Sequence, residues 1–281
     1  MKPEKIIAVI LLLLTASCTG KQKHGEIRIS EDRRRFTINI AEEYRGGALH
    51  IPEKLNRKNP PLIIALHPMG SSGEAFRSRG FDLTADRYGF IVVYPDGQNG
   101  GWSTLNDNAF LEMIIDRMHE KYKIDRKKVF MTGHSLGAIQ CYESALVLTG
   151  KIAGIAAVSG TMSAGSAQLI HVSCPAITPI VPAALPVMHI HSLDDEIIPF
   201  EGKHLWNIYS VDETMAFWKK INGCAGEPQE YPASPDITGR LWRGSGADCV
   251  LLLRQSGGHG WPGCATELIS DFFERISAVD N

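Results

Sequence analysis

The stretch Lys128-Val129-Phe130-Met131-Thr132-Gly133-His134-Ser135-Leu136-Gly137-Ala138-Ile139-Gln140-Cys141-Tyr142-Glu143-Ser144-Ala145 decides the reading of this chain. Its first five residues are largely apolar and β-prone, and those after Ser135 have helical composition. Between them lies Gly133-His134-Ser135-Leu136-Gly137, the pattern of a sharp strand-to-helix turn carrying a nucleophile. Such a turn crowds the backbone around the serine, so small residues are required two positions before and two after it. No other serine in the chain has glycine at both places. The turn lifts the Ser135 hydroxyl above the carboxyl edge of a sheet. It also leaves the Leu136 N–H at a helix start, free to meet a developing oxyanion.

Outward from the turn, short apolar runs alternate with helix-period runs. Phe36 to Ile40, Leu62 to Leu66, Phe90 to Tyr94, Val129 to Thr132, Ile155 to Ser159, Val187 to His191 and Val250 to Arg254 read as strands, most of them buried on both faces. Asp107 to Tyr122, Leu136 to Leu148, Asp212 to Ile221 and Thr266 to Ala278 read as helices. In the first of these, Phe110, Met113, Ile114 and Met118 recur three or four apart. The alternation predicts an α/β fold with a mostly parallel central sheet flanked by helices, in one domain over residues 27–281. Gly160 to Leu185 is irregular and long enough to form part of a binding wall. The 281 residues are 44% hydrophobic and 21% charged, which excludes collagen-like, coiled-coil and disordered classes. Lys and Arg total 29 against 31 Asp and Glu, so the basic excess that phosphate-backbone binding needs is absent, and nucleic acid is not an expected partner.

A serine hydroxyl needs a base to become nucleophilic at neutral pH. In α/β-hydrolase order the acid and then the histidine follow the serine. Downstream lie His171, His189, His191, His204 and His259. His259 sits in the loop Ser256-Gly257-Gly258-His259-Gly260-Trp261 after an apolar run, where its ring can reach over the nucleophile, and is the expected base. His189 and His191 share one strand face and read as hydrogen-bonded strand histidines rather than metal ligands. The acid is expected after the strand Val187 to His191, where Asp194, Asp195 and Glu196 are adjacent. The second oxyanion donor is expected from the loop after Leu66. There Pro68 has no N–H, which leaves that of Met69, with His67 supporting the turn.

Met1 to Gly20 reads as an export signal: Lys2 and Lys5, then the nine apolar residues Ile6 to Leu14, then small residues before Cys18. Nine residues fall short of the ~20 that span a bilayer. Leu14-Thr15-Ala16-Ser17-Cys18 resembles a bacterial lipobox, with Thr15 where Leu, Val or Ile is usual. The resemblance implies a signal over residues 1–18 in which Cys18 is lipidated and becomes the first mature residue, and the alternative is plain cleavage near the same place. The expected location is therefore extracellular or periplasmic, with membrane contact only through that anchor. Export makes Cys141, Cys174, Cys224, Cys249 and Cys264 available for disulfides. Cys224, after the helix-ending Asn222-Gly223, and Cys249, opening a strand, are the best candidate pair; spacing alone does not settle it.

Taken in order, Leu62 to Gly73, Tyr88 to Gly97, the serine turn, His191 to Phe200 and Gly257-Gly258-His259-Gly260-Trp261-Pro262-Gly263 resemble the polyhydroxybutyrate depolymerase and feruloyl esterase-like family of secreted α/β-hydrolases. The resemblance runs from about Phe36 to Phe273. It implies an α/β-hydrolase fold and a serine esterase with Ser135 as nucleophile, His259 as base and, by its spacing to Ile198-Pro199, Asp195 as acid. Leu136 and Met69 match the oxyanion positions, and Cys224 with Cys249 matches a disulfide of relatives. His67, Trp102 and Trp261 are implied near bound substrate. The implied substrate is a feruloyl or acetyl ester of plant polysaccharide such as xylan, with a polyhydroxybutyrate-type polyester as the rival and a non-catalytic binding lipoprotein below both. No metal or organic cofactor is required. Two departures stand out. Pro68 replaces the glycine usual after the loop histidine, and Leu136-Gly137-Ala138 is bulkier than the usual sequence after the nucleophile, which narrows the acyl side.

Overall fold

A computed structural model describes residues 25–32, 34–40, 43–55, 57–164, 182–203 and 206–278. The expected signal segment with Cys18, the candidate histidines His171 and His204, Cys174 and most of the irregular stretch from Gly160 to Leu185 lie outside these residues.

The strands are β1 (Ile27–Ile29), β2 (Arg35–Ile40), β3 (Glu43–His50), β4 (Leu62–Leu66), β5 (Ile91–Pro95), β6 (Val129–His134), β7 (Gly154–Val158), β8 (Val187–Ser192), β9 (Gln229–Glu230), β10 (Ile237–Trp242) and β11 (Cys249–Arg254). The helices are α1 (Gly73–Arg77), α2 (Phe81–Tyr88), α3 (Thr104–Tyr122), α4 (Leu136–Val147), α5 (Val211–Asn222) and α6 (Ala265–Ala278). Among the described residues the strands form one 11-stranded sheet in the order β1-β2-β3-β5-β4-β6-β7-β8-β11-β10-β9. The six from β5 to β11 pair in parallel, and the flanking strands on either side pair antiparallel.

The parallel strands are the apolar runs of the sequence because helices cover both of their faces. In β4, Leu62, Ile64 and Leu66 point into one core with Phe110 and Ile114 of α3, Tyr142 of α4 and Trp218 of α5. Ile63 and Ala65 point into the other, with Phe76 of α1, Phe81 of α2 and Phe273 of α6. Each such fully buried side chain contributes about 1.5–3 kcal/mol relative to exposure. Helix α5 shows local sequence setting an element's ends. Ser210 accepts the Glu213 N–H while the Glu213 carboxylate accepts the Ser210 N–H, and Gly223 ends the helix at φ 66°.

The main departures from expectation lie at the sheet's margins. Strand β3 lacks a clean alternation because Gly46 and Gly47 interrupt it, yet both glycines are required by the sheet. A Cβ at Gly46 would lie 2.2 Å from the Phe36 carbonyl oxygen, and one at Gly47 would lie 2.1 Å from that of Tyr94. Strand β10, next to the edge strand β9, does alternate, with Ile237, Gly239 and Leu241 buried between exposed Thr238 and Arg240. The chain thus returns its loops to one edge of the sheet, where β4, β6, β8 and β11 all end.

Candidate active site

Ser135 caps α4 with φ 56° and ψ −118°, a backbone conformation that costs a non-glycine residue of order 1–3 kcal/mol. Three glycines make room for it. A Cβ at Gly133 would lie 2.4 Å from the Gly137 carbonyl, one at Gly137 would lie 2.3 Å from the Leu66 carbonyl oxygen, and one at Gly160 would lie 2.3 Å from that of Ser135. The Ser135 N–H donates to Val158 O at 2.9 Å, tying the turn to the end of β7.

The structure brings Ser135, His259 and Asp195 together from the ends of β6, β11 and β8. Ser135 Oγ lies 2.7 Å from His259 Nε2. His259 Nδ1 lies 2.8 and 3.0 Å from the two carboxylate oxygens of Asp195. With an acceptor carboxylate on its other side, the imidazole carries its proton on Nδ1 and presents a lone pair to the serine hydroxyl. The Asp195 side chain is fully buried, whereas that of His259 keeps 18% exposure toward the substrate side. Burial opposes ionisation of Asp195. The hydrogen bonds from His259 and from the Ile198 N–H outweigh it, so the carboxyl is held below its usual range.

Asp194 has a different task. Its exposed carboxylate accepts the N–H groups of Gly257 at 3.1 Å and Gly258 at 2.8 Å, which pins the loop that carries His259. Those two N–H groups also hold its pKa below the usual carboxylate value. Gly257 and Gly258 have φ of 143° and 57°, so the loop needs glycine at both positions. Adjacent carboxylates therefore divide the work, one on the ring of His259 and one on its backbone. The sequence signal for the second role was the pair of glycines before the histidine.

Two segments meet at the start of α4, where the sequence places the expected oxyanion donors Leu136 and Met69. Gly137, on the first turn of α4, abuts the carbonyls of Leu66 and His67, which brings the start of α4 against the loop that follows β4. The Met69 side chain is 72% exposed, and its backbone is held by neighbouring bonds from Gly70 N–H to Gly100 O and from Ser71 N–H to Pro68 O. His67 is fully buried. Its Nε2 accepts the Gly97 N–H at 3.0 Å, so the proton is on Nδ1, which donates to Pro68 O at 2.8 Å. Trp102 is also buried and donates from its indole to His67 O at 2.8 Å. Every polar atom of both rings is committed to bracing this loop, so what His67 and Trp102 can offer a substrate is ring surface rather than a hydrogen bond. Trp261 is half-buried and packs edge-on against Phe76, Phe81 and His134, with its N–H on Thr266. These contacts anchor the His259 loop and leave part of the Trp261 ring exposed.

Cys224 and Cys249, the expected disulfide pair, are brought side by side, with their sulfurs unbonded in this structure; Cys141 and Cys264 are unbonded as well. The Cys224 thiol donates toward the Ala247 and Trp242 carbonyls, and Cys249 accepts from the Asn222 amide at 3.3 Å.

His134, beside the nucleophile, donates from Nε2 to the His259 carbonyl at 3.0 Å. Burial, with the nearby His259, lowers its pKa from 6.5 to about 4. A second proton would sit on Nδ1, a buried atom with no partner among the described residues. The folded-state pKa lies below the unfolded one, so the unfolded chain takes up the proton first as pH falls. Stability that is complete above pH ~6.5 is expected to decline by about 3 kcal/mol down to pH ~4 from this residue. Urea midpoints across that window will check this. His134→Asn should flatten the slope, and a midpoint constant from pH 7 to 4 would contradict it.

Comparison with known proteins places this geometry in context. Residues 93–210, which include Ser135 and Asp195, match the phospholipase/carboxylesterase family. A bifunctional acetylxylan esterase/xylanase of Neocallimastix patriciarum is 30% identical over 166 residues, covering 57% of this chain and 23% of that protein. Feruloyl esterase D of Neurospora crassa is 30% identical over 146 residues, covering 47% of this chain and 50% of that one. This chain thus spans half or less of the length of these curated relatives. Among solved structures, an acetyl xylan esterase from Aspergillus awamori superposes with a TM-score of 0.61 at 18% identity, over 82% of this chain and 93% of that one. The fold is that of the α/β-hydrolases.

Proposed function

We propose that this chain is a serine carboxylic ester hydrolase that removes acetyl or feruloyl groups from a plant polysaccharide such as xylan. The observation that carries the reading is the line of contacts from Ser135 Oγ through His259 to Asp195, at 2.7 and 2.8 Å. His259 Nε2 takes the Ser135 proton as Oγ bonds to the ester carbon, and the carbonyl oxygen becomes an oxyanion facing the N–H groups of Leu136 and Met69. The imidazolium, stabilised by Asp195, then protonates the departing alcohol oxygen as its bond to the acyl carbon breaks. Water repeats the sequence: its proton goes to His259, its oxygen bonds to the acyl carbon, and Ser135 leaves with the proton returned.

The acyl and alcohol parts of the substrate rest on the relatives, which are named as acetylxylan and feruloyl esterases. A bulky polysaccharide suits an exported enzyme, and the basic-apolar-small sequence before Cys18 supports export with a lipid anchor at that cysteine. Incubating the protein separately with acetylated xylan, feruloylated arabinoxylan and polyhydroxybutyrate, and measuring acetate, ferulate and 3-hydroxybutyrate, tests the reading. Acetate or ferulate release is expected to exceed polyester hydrolysis by at least about tenfold. Release of 3-hydroxybutyrate alone would assign the chain to polyesters, and no release from any of them would end the esterase proposal.

A further inference from the structure

Strand β8 carries two histidines whose purpose the catalytic cycle leaves unexplained. His189 and His191 alternate onto one face, the face covered by α4, and are buried to 0% and 1% exposure. Their rings stack at 5.2 Å with planes 13° apart. Tyr142 of α4, also fully buried, places its hydroxyl 2.8 Å from His189 Nδ1. His189 Nε2 lies 3.2 Å from His191 Nδ1, and His191 Nε2 lies 2.9 Å from Ile198 O.

Only one arrangement of protons satisfies this line with neutral rings. A carbonyl cannot donate, so His191 carries its proton on Nε2 and gives it to Ile198 O. Its Nδ1 is then an acceptor, which requires the His189 proton on Nε2. His189 Nδ1 becomes an acceptor in turn, and Tyr142 must be the donor. Burial pushes both histidines below the ordinary histidine range, in keeping with neutral rings. Every bond in the line therefore points the same way, from the core toward the turn that bears Asp195. At that turn the Ile197 and Ile198 N–H groups both donate to Asp195 Oδ1 at 2.9 Å, and His191 Nε2 lies 3.7 Å from Asp195 Oδ2.

We propose that His191 is a positioning residue for Asp195, and that Tyr142 and His189 lock it into the tautomer this role requires. The His191 N–H fixes the Ile198 carbonyl, and with it the residue whose N–H, one peptide unit earlier, holds Asp195. It presents a neutral dipole, so His259 is left as the cationic partner of the carboxylate when the imidazolium forms. The groups facing His191 are His189 on its own strand, Asp195 and Glu201 on the following loop, His259 across the site and the edge of the Phe200 ring. Tyr142, at the start of the line, has the Cys141 and Cys249 thiols as neighbours.

This inference rests on Asp195 being the acid of an active esterase, and wild-type turnover of p-nitrophenyl acetate establishes that first. Absence of wild-type turnover counts against the proposed function, whereas the variants below decide the positioning role. His191→Ala is expected to lower kcat about 100-fold with KM changed less than threefold, since a small misplacement of a catalytic group costs this much. A loosened Asp195 supports the His259 cation less, so the acidic limb of kcat/KM should move to lower pH. His191→Gln, which keeps an N–H at nearly the same place, should recover most of the loss and restore the limb. Equal loss in both variants, or a folded His191→Ala with wild-type kcat and pH profile, would overturn the proposal. Nitrogen-15 spectra of the unmutated protein give a check that needs no variant. His189 and His191 should both appear as neutral Nε2–H tautomers, and an Nδ1–H or cationic His191 would refute the mechanism.

Discussion

Ser135→Ala is expected to lower kcat for ester hydrolysis by about 10⁴–10⁶-fold while leaving the fold and substrate binding nearly intact. The nucleophile is the one triad member whose loss removes the covalent route altogether. Any residual rate would come from water held beside the oxyanion N–H groups. Stability should change little, because alanine inherits the same φ of 56° and the turn is held by the Ser135 N–H to Val158 O and by the three surrounding glycines, none of which uses the hydroxyl. Single-turnover kinetics and a fluorophosphonate probe give two readings. The variant should lose both turnover and labelling, and retained turnover would remove Ser135 from the reaction.

A second large effect separates two neighbouring carboxylates. Asp195→Asn should cost about 10⁴-fold in kcat, because an amide can donate to His259 Nδ1, reverse its tautomer and offer no charge to the imidazolium. Asp194→Asn should cost no more than about tenfold, since the Gly257 and Gly258 N–H groups bond to separate oxygens, the amide oxygen keeps one of the two bonds, and the lost one loosens the loop without removing the charge beside His259. Kinetics of the two variants on one activated ester are sufficient. The reverse order of effects would assign the acid to Asp194.

These two residues also mark the limit of what the linear order of residues conveys. Asp194 and Asp195 are adjacent, similar in chemistry and equally placed after β8; nothing local to them separates the roles. Resemblance to a family favoured Asp195. The physical separation appears only where β11 ends beside β8, one carboxylate turning inward to the imidazole and the other outward to the glycine backbone. His67 and Trp102 teach the same lesson. Their position after β4 and β5 placed them near the site, but only the packing of the 97–102 segment onto the loop after β4 shows that their polar atoms are already used. The histidine line on β8 was legible only as two residues on a shared face, and its direction depends on Tyr142 from α4 and Ile198 from the next loop.

By itself, the sequence determined the alternation of buried strands and covering helices, the place of the nucleophile and the loop of the base. These follow from short-range constraints: apolar periodicity, capping residues, and glycines where a side chain would collide with nearby backbone. The sheet's margins escaped it, because Gly46 and Gly47 in β3 answer to the carbonyls of β2 and β5 rather than to their own neighbours in the chain. Tertiary structure alone decided which carboxylate meets the histidine, which rings have their polar atoms spent on bracing loops, and that Cys224 and Cys249 lie side by side. Those outcomes depend on distances of a few ångströms between segments separated by tens of residues, and burial then fixes which atom donates and which accepts.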